Sequence, residues 1–223
     1  MNAGAQRQPD RMLLARVPTA IFVSGSGTNL QAIIDAVRVQ TLPLDLRLVI
    51  SNKPHALALQ RARTAGVPTA VFEFARNQGR MDYAVALADA VENSGARLVL
   101  LLGWMHVFAP AFLERDFTVL NLHPAYLPED PSADSVVFPD GRITPAFRGP
   151  RALRDAITAG APLVGASLIA ITNEVDRGPL LARKAMALRP NEDEAAALER
   201  LHAVEQEVVR EGVLRWIAEQ RQR

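Results

Sequence analysis

The run "TVLNLH" ends with an amide and an imidazole two residues apart, Asn121 and His123, and Pro124 follows at once. Proline has no N–H to give a sheet, so the strand stops there and leaves both side chains at its carboxyl end. Residues i and i+2 of a strand point to the same side, so the two can meet one substrate atom. An amide N–H beside an imidazole suits a developing oxyanion, and histidine can also move a proton near neutral pH. A lone strand-end histidine also serves as a cap or a packed polar group, so this reading depends on its company.

Two other stretches supply company. "SGSGTNLQ", Ser24 to Gln31, is a turn of small residues ahead of a helical pattern. Backbone N–H groups at Gly27, Thr28 and Asn29 can converge there on an anion, aided by the helix dipole. The turn lacks the third glycine of G-x-G-x-x-G, and Asp35 comes too early to bind a dinucleotide ribose, so a phosphomonoester suits it better than NAD. The plainer alternative is a strand–helix turn capped by Thr28 or Asn29. In "TNEVDRGPLL", Asp176 precedes an Arg-Gly-Pro turn. Aspartate forms turns by bonding its own backbone. A catalytic role requires His123 as a neighbour, which separation along the chain does not establish.

These stretches need a scaffold, and the chain alternates strand and helix patterns around them. "TAIFVS" precedes a helix with Leu30, Ile33, Ile34 and Val37 at helical spacing. "LDLRLVIS", "VPTAVFEF" and "ARLVLLLG" read as further strands, with helices from Ala56 and Met81 between them. The last of these strands is apolar almost throughout, as expected of a parallel strand covered on both faces. After "TVLNLH" come a helix from Arg151, strands from Leu163 and Gly178, and a long helix from about Glu192 to Gln220. The expectation is an α/β fold with a doubly wound, mostly parallel, Rossmann-like sheet and a long C-terminal helix. Residues 1–16 read as a loose tail and 17–223 as a single domain. The segment 129–150 is punctuated by Pro131, Pro139, Pro145 and Pro150 and should be an irregular surface loop, with a small hairpin at "PDGR". Its place after the Asn-His pair suggests a lid.

Composition narrows the chemistry. The 25 basic and 24 acidic residues nearly cancel, so no long-range field draws the chain to nucleic acid or a membrane, and an anionic ligand must be met locally. All cations except Lys53 and Lys184 are arginine, a skew from which no function is read. There is no cysteine, hence no disulfide and no thiolate nucleophile. The four histidines lie far apart without a zinc-binding pair, so no metal is expected. No signal-peptide core or 18-residue apolar run is present, which suggests a cytoplasmic protein.

From Thr19 onward the chain resembles the folate-dependent formyltransferases, and among them the phosphoribosylglycinamide formyltransferase family. The motifs that carry the resemblance are "SGSGTNLQAII", "ISNKPHALALQRARTAGVP", "GWMHVFAPAFL", "NLHPAYLP" and "VDRGPLL". The resemblance implies formyl transfer from 10-formyltetrahydrofolate, as co-substrate, to the primary amine of glycinamide ribonucleotide. Gly27, Thr28 and Asn29 would hold the phosphate and Glu205 the ribose. Arg80, Met105, His106, Val107, Phe108 and Asn121, with Thr172, Asn173, Glu174, Val175 and Asp176, would hold the folate. Asn121, His123 and Asp176 would be catalytic, with Asp176 raising the imidazole pKa. The expected partners are small molecules, not nucleic acid or membrane, and the expected state is a monomer or homodimer.

The chain departs from the family pattern at His106, where arginine is frequent, at Ile169, where histidine is common, and at Ala125, where serine is frequent. The 129–150 loop is longer than usual, and its "FRGP" ending is similar to relatives that formylate methionyl-tRNA or amino sugars. Another amine acceptor is therefore the alternative, with a non-catalytic folate- or nucleotide-binding paralogue behind it. The expected absence of a tRNA-binding domain and of an N-terminal regulatory domain counts against the methionyl-tRNA enzymes and the formyltetrahydrofolate hydrolases.

Overall fold

The structure is a computed structural model that describes residues 15–75 and 79–222. The loose tail expected at the N-terminus falls, up to residue 14, outside the described residues. The strands are β1 (Val17–Val23), β2 (Leu44–Ser51), β3 (Thr69–Val71), β4 (Leu98–Leu101), β5 (Thr118–His123), β6 (Ser135–Val137), β7 (Ile143–Pro145), β8 (Leu163–Ala170) and β9 (Leu180–Ala187). The helices are α1 (Thr28–Arg38), α2 (Leu57–Thr64), α3 (Arg80–Asn93), α4 (Pro110–Leu113), α5 (Ala152–Thr158) and α6 (Glu194–Gln220).

Seven strands form one sheet in the order β3-β2-β1-β4-β5-β8-β9. Strands β1 to β5 pair in parallel, while β8 and β9 continue the sheet antiparallel. The order turns back on itself between β1 and β4, and in open α/β sheets ligands gather beyond the carboxyl ends of strands near such a switch. Both glycine turn and Asn-His pair lie on that edge.

Strand β4 is apolar at every position, and β1 is so from Ala20 to Val23, because successive side chains enter opposite layers. Ile21, Val23, Leu98 and Leu100 join the core beneath α1, α2 and α6, whereas Ala20, Phe22, Val99 and Leu101 join the core shared with α3 and α4. Helix α6 begins with Asp193, whose carboxylate caps the Ala196 N–H at 2.8 Å. Leu201, Val208, Val209, Val213 and Ile217 then form its buried stripe. Gly212 lets this helix close on β8, since a Cβ there would lie 2.6 Å from Leu168 Cδ2.

The 129–150 segment contains the expected hairpin. β6 and β7 pair antiparallel, and the Phe138 N–H donates to the Arg142 carbonyl across the "PDGR" turn, where Gly141 has φ +83°. Val136 and Phe138 point inward against Tyr126 and Leu163, while Val137 and Ile143 face solvent. Elsewhere β3 is shorter than "VPTAVFEF" suggests. The brief α4 was not anticipated, because a single turn begun by Pro110 is too short to show periodicity.

Gly178, which closes the turn after Asp176, has no room for a side chain: a Cβ would sit 1.5 Å from the Ala170 carbonyl oxygen. Gly178→Ala should cost about 1–3 kcal/mol or more, as overpacking against backbone does, read as a lower urea midpoint at unchanged slope. A wild-type midpoint would show that the turn gives way freely.

Candidate active site

The turn between β1 and α1 is shaped by its glycine. Gly27 occupies the N-cap position of α1 with φ +72°, a left-handed conformation, and a Cβ there would meet Ala58 at 2.6 Å. The capping alternative does not occur: α1 has no side-chain cap, and Asn29 instead donates through Nδ2 to Glu205 Oε2 at 2.8 Å. The first N–H groups of the helix are therefore left for an anion. Two polar atoms nearby, Ser24 Oγ and Asn29 Oδ1, are buried without a hydrogen-bond partner among the described residues. Glu205 is itself buried, and desolvation pushes its carboxyl above the usual range against the opposing pull of Asn29 and His202.

Asn121, His123 and Asp176, distant in sequence, meet. His123 Nδ1 lies 3.5 Å from Asp176 Oδ2, and Asn121 Nδ2 lies 3.5 Å from Asp176 Oδ1. Both are long for hydrogen bonds, but they show that the two β5 side chains face the same carboxylate, as residues i and i+2 should. Asp176 holds φ +52°, uncommon for a residue with a side chain, and Gly178 follows in its turn.

A strap from the end of the long loop closes over this cluster. The Gly149 N–H donates to Asp176 Oδ2 at 2.8 Å, and His123 Nε2 meets the Phe147 carbonyl at 3.1 Å. Between them Arg148 donates to the carbonyls of Asp176, Pro131 and Ala133. His123 and Asp176 are thereby only 4% and 9% exposed. No signal in the sequence identified Phe147, Arg148 and Gly149 as neighbours of the cluster, although "FRGP" had drawn notice.

The charge state of His123 is contested. Both ring nitrogens face acceptors, a carboxylate and a carbonyl, which favours the imidazolium. Burial nevertheless dominates and pushes the pKa below the ordinary imidazole value. Asp176 and the Phe147 carbonyl act upward, while Arg148 adds to the downward push. The expectation that Asp176 raises the imidazole pKa thus holds for its own influence and fails for the net direction, because desolvation outweighs it.

Arg80 and the segment Met105 to Phe108 line one hollow of about 200 Å³ together with Phe74 and Tyr83. His106 Nε2 contacts Asn52 Nδ2 at 2.6 Å. Burial, followed by Arg80 and Lys53, pushes its pKa below the ordinary imidazole value. Phe108 stacks on Phe112 at 4.0 Å, while Met105 and Val107 are exposed. Thr172 to Val175 are not among the residues lining this hollow. They form their own turn, in which the Thr172 hydroxyl accepts from the Glu174 N–H, and Val175 is exposed. Among the described residues no group of three or more His, Asp or Glu could hold a metal ion, and no helix is long and apolar enough to cross a membrane.

A buried imidazole backed by a carboxylate and flanked by an amide, two strands away from an anion-ready turn, is equipment for group transfer. The chain belongs to the formyl transferase family, whose sequence profile matches residues 17–136 and 141–213, leaving out only the hairpin tip between them. It is 31% identical to a phosphoribosylglycinamide formyltransferase of Dictyostelium discoideum, over 86% of this chain and 94% of that one. It is 32% identical to the trifunctional purine biosynthetic protein adenosine-3 of Drosophila melanogaster, over 92% of this chain but only 14% of that longer protein. The crystal structure of glycinamide ribonucleotide transformylase 1 from Symbiobacterium toebii superposes with a TM-score of 0.81 at 31% identity, covering 93% and 90% of the two chains.

Replacing Asp176 by Asn keeps the shape and removes the one charge that opposes the burial of His123. The His123 pKa should fall further below the imidazole reference of about 6.5, which NMR titration of the ring in both proteins measures. An unchanged midpoint would remove Asp176 as its electrostatic partner. The sign extends to stability: a histidine with a depressed native pKa contributes fully above its unfolded value and loses that contribution as pH falls through the native one, so acid sensitivity should increase in the variant.

Proposed function

We propose that the chain transfers the formyl group of 10-formyltetrahydrofolate to the primary amine of glycinamide ribonucleotide, a step of de novo purine biosynthesis. The observation that carries the reading is the convergence of Asn121, His123 and Asp176 at the carboxyl edge of the sheet in a member of the formyl transferase family. The acceptor follows from the relatives of Dictyostelium discoideum and Haemophilus influenzae, both named phosphoribosylglycinamide formyltransferase and matched over most of their length. The free N–H groups at Gly27, Thr28 and Asn29 would take the nucleotide phosphate, and Glu205, already bonded to Asn29, would stand at the ribose. Arg80 and Met105 to Phe108 would receive part of the folate in their shared hollow, and Asn121 and the turn from Thr172 to Asp176 would complete that site. The protein would act in the cytoplasm, as a monomer or homodimer.

The chemistry balances without a covalent enzyme intermediate. The amine nitrogen of the acceptor attacks the formyl carbon, the C=O becomes an oxyanion, and the bond from that carbon to N10 of the folate then breaks. The proton lost by the amine ends on N10. Asn121 and His123 in its imidazolium form would hold the oxyanion; burial disfavours that form, and Asp176 would oppose the burial and help relay the proton. Since His123 Nε2 is bonded to the Phe147 carbonyl, a formyl oxygen that uses this nitrogen has to replace that carbonyl. Substrate entry therefore entails a shift of the strap.

Turnover with 10-formyltetrahydrofolate, compared for glycinamide ribonucleotide, aminoacyl-tRNA and amino-sugar acceptors, tests the proposal. The ribonucleotide should be the preferred acceptor, and formylation of another amine in its place would reassign the substrate. In that assay His123→Ala should lower kcat by roughly 100-fold or more with little change in folate affinity, the loss expected of a donor to a transition-state oxyanion. Near wild-type turnover would take His123 out of the mechanism.

A further inference from the structure

We infer that Arg61 on α2 is a positioning residue for the acceptor phosphate, acting through the turn between β1 and α1; the inference rests on the phosphate-loop reading above. Arg61 lies outside the motif that marks the turn, 35 residues beyond Ser26, yet its Nε donates to the Ser26 carbonyl at 2.9 Å. Its Nη1 reaches Gln31 Oε1 at 3.3 Å. One guanidinium thus spans the segment whose N–H groups would hold the anion. Gln31 is steadied from its other end, where Nε2 donates to Asp35 Oδ1 at 3.0 Å.

The consequence follows from peptide planarity. The Ser26 C=O and the Gly27 N–H belong to one trans peptide unit and point in opposite directions. Anchoring the carbonyl on Arg61 therefore aims the Gly27 N–H away from α2. It also keeps the Ser26 carbonyl dipole from turning toward a bound phosphate, which it would repel. Helix α2 does the same one residue earlier, where the Ala58 N–H donates to the Gly25 carbonyl at 3.2 Å and so directs the Ser26 N–H. The contact of Ala58 with Gly27 blocks the turn from the same side. A flexible Gly-Ser segment would otherwise lose conformational entropy when it closes on the ligand; here α2 has ordered it in advance. Arginine fits this task where lysine does not, because two separate oxygens are bridged by one planar fork.

The test compares Arg61→Met and Arg61→Lys with wild type, using glycinamide ribonucleotide and its dephosphorylated riboside as acceptors and 10-formyltetrahydrofolate as donor. Both variants should raise KM for the ribonucleotide by up to about tenfold, the order of a lost hydrogen bond, with kcat and the folate KM within about twofold and the riboside KM unmoved. A wild-type KM in either variant overturns the inference, and in Arg61→Lys it would show that charge alone suffices. Equal losses with ribonucleotide and riboside also overturn it, as a general structural defect. Gly27→Val run alongside separates the two levels, since a side chain there meets Ala58 at 2.6 Å and strains the left-handed turn that aims the N–H groups: if it too leaves the ribonucleotide KM unchanged, the phosphate-loop reading itself fails, whereas a silent Arg61 beside a damaging Gly27 variant removes only the positioning role. Should circular dichroism show Arg61→Met unfolded, Arg61→Lys decides the outcome.

Discussion

The Asp176 carboxylate is enclosed by groups from two other parts of the chain, Asn121 and His123 on β5 and the Gly149 N–H from the strap. A buried carboxylate left without such partners costs several kcal/mol, so these parts are coupled through it. The turn cannot relax outward without exposing the charge, and Gly178 packs too closely on the Ala170 carbonyl for it to relax inward. The positive φ of Asp176 is the local cost of aiming its side chain back at β5. The geometry of the Asn121, His123 and Asp176 cluster and the geometry of the turn are thus one constraint.

The strap is held by a different class of interaction from the hairpin that carries it. Val136 and Phe138 anchor the hairpin by burial against Tyr126 and Leu163, while the strap from Phe147 to Gly149 is tied by hydrogen bonds to His123, Asp176 and nearby carbonyls. Arg177 adds bonds to the Pro131 and Ser132 carbonyls and an ion pair with the exposed Asp134, a pair of a kind that contributes about 0–1 kcal/mol. A substrate that offers His123 and Asp176 equivalent partners can exchange for the strap at little net polar cost, since hydrogen bonds are replaced in kind. The apolar hairpin can stay docked meanwhile. Arg183 secures the opposite flank, lying over the Tyr126 ring at 4.4 Å and donating to the Leu127 carbonyl at 2.6 Å, so the chain just after His123 does not follow the strap.

What was legible in the sequence is what local chemistry determines. Pro124 ends β5, the small residues of "SGSGTNLQ" mark the turn before α1, and the apolar run of β4 reveals a strand covered on both faces. The hairpin at "PDGR" was legible for the same reason, since its signal lies within the turn. Contacts across long separations were not. Arg61 to Ser26, Asn29 to Glu205 and Gly149 to Asp176 each depend on how elements pack, and no spacing encodes them. The net direction of the His123 pKa escaped for a related reason: a charge partner can be guessed from residue types, but desolvation depends on what covers the site, and here the strap does.

Register then determines how the two halves of the site face each other. Phe22 pairs with Leu101 and Leu101 with Asn121, so the end of β1 and the Asn-His pair of β5 lie level across β4. Two strand spacings, about 10 Å, separate them. The turn after β1 is clamped by α2 on one side and by Glu205 of α6 on the other, and β5 is locked between β4 and β8. Neither end is free to slide, so in the proposed reaction the sheet would act as a ruler between the phosphate and the amine of the acceptor. A ligand that carries its phosphate at one end and its nucleophile at the other can bridge these points. Under the proposed function an amine lacking the phosphate could reach His123 but would have nothing to hold it in line, so selection of the acceptor would belong to the glycine turn as much as to Asn121, His123 and Asp176.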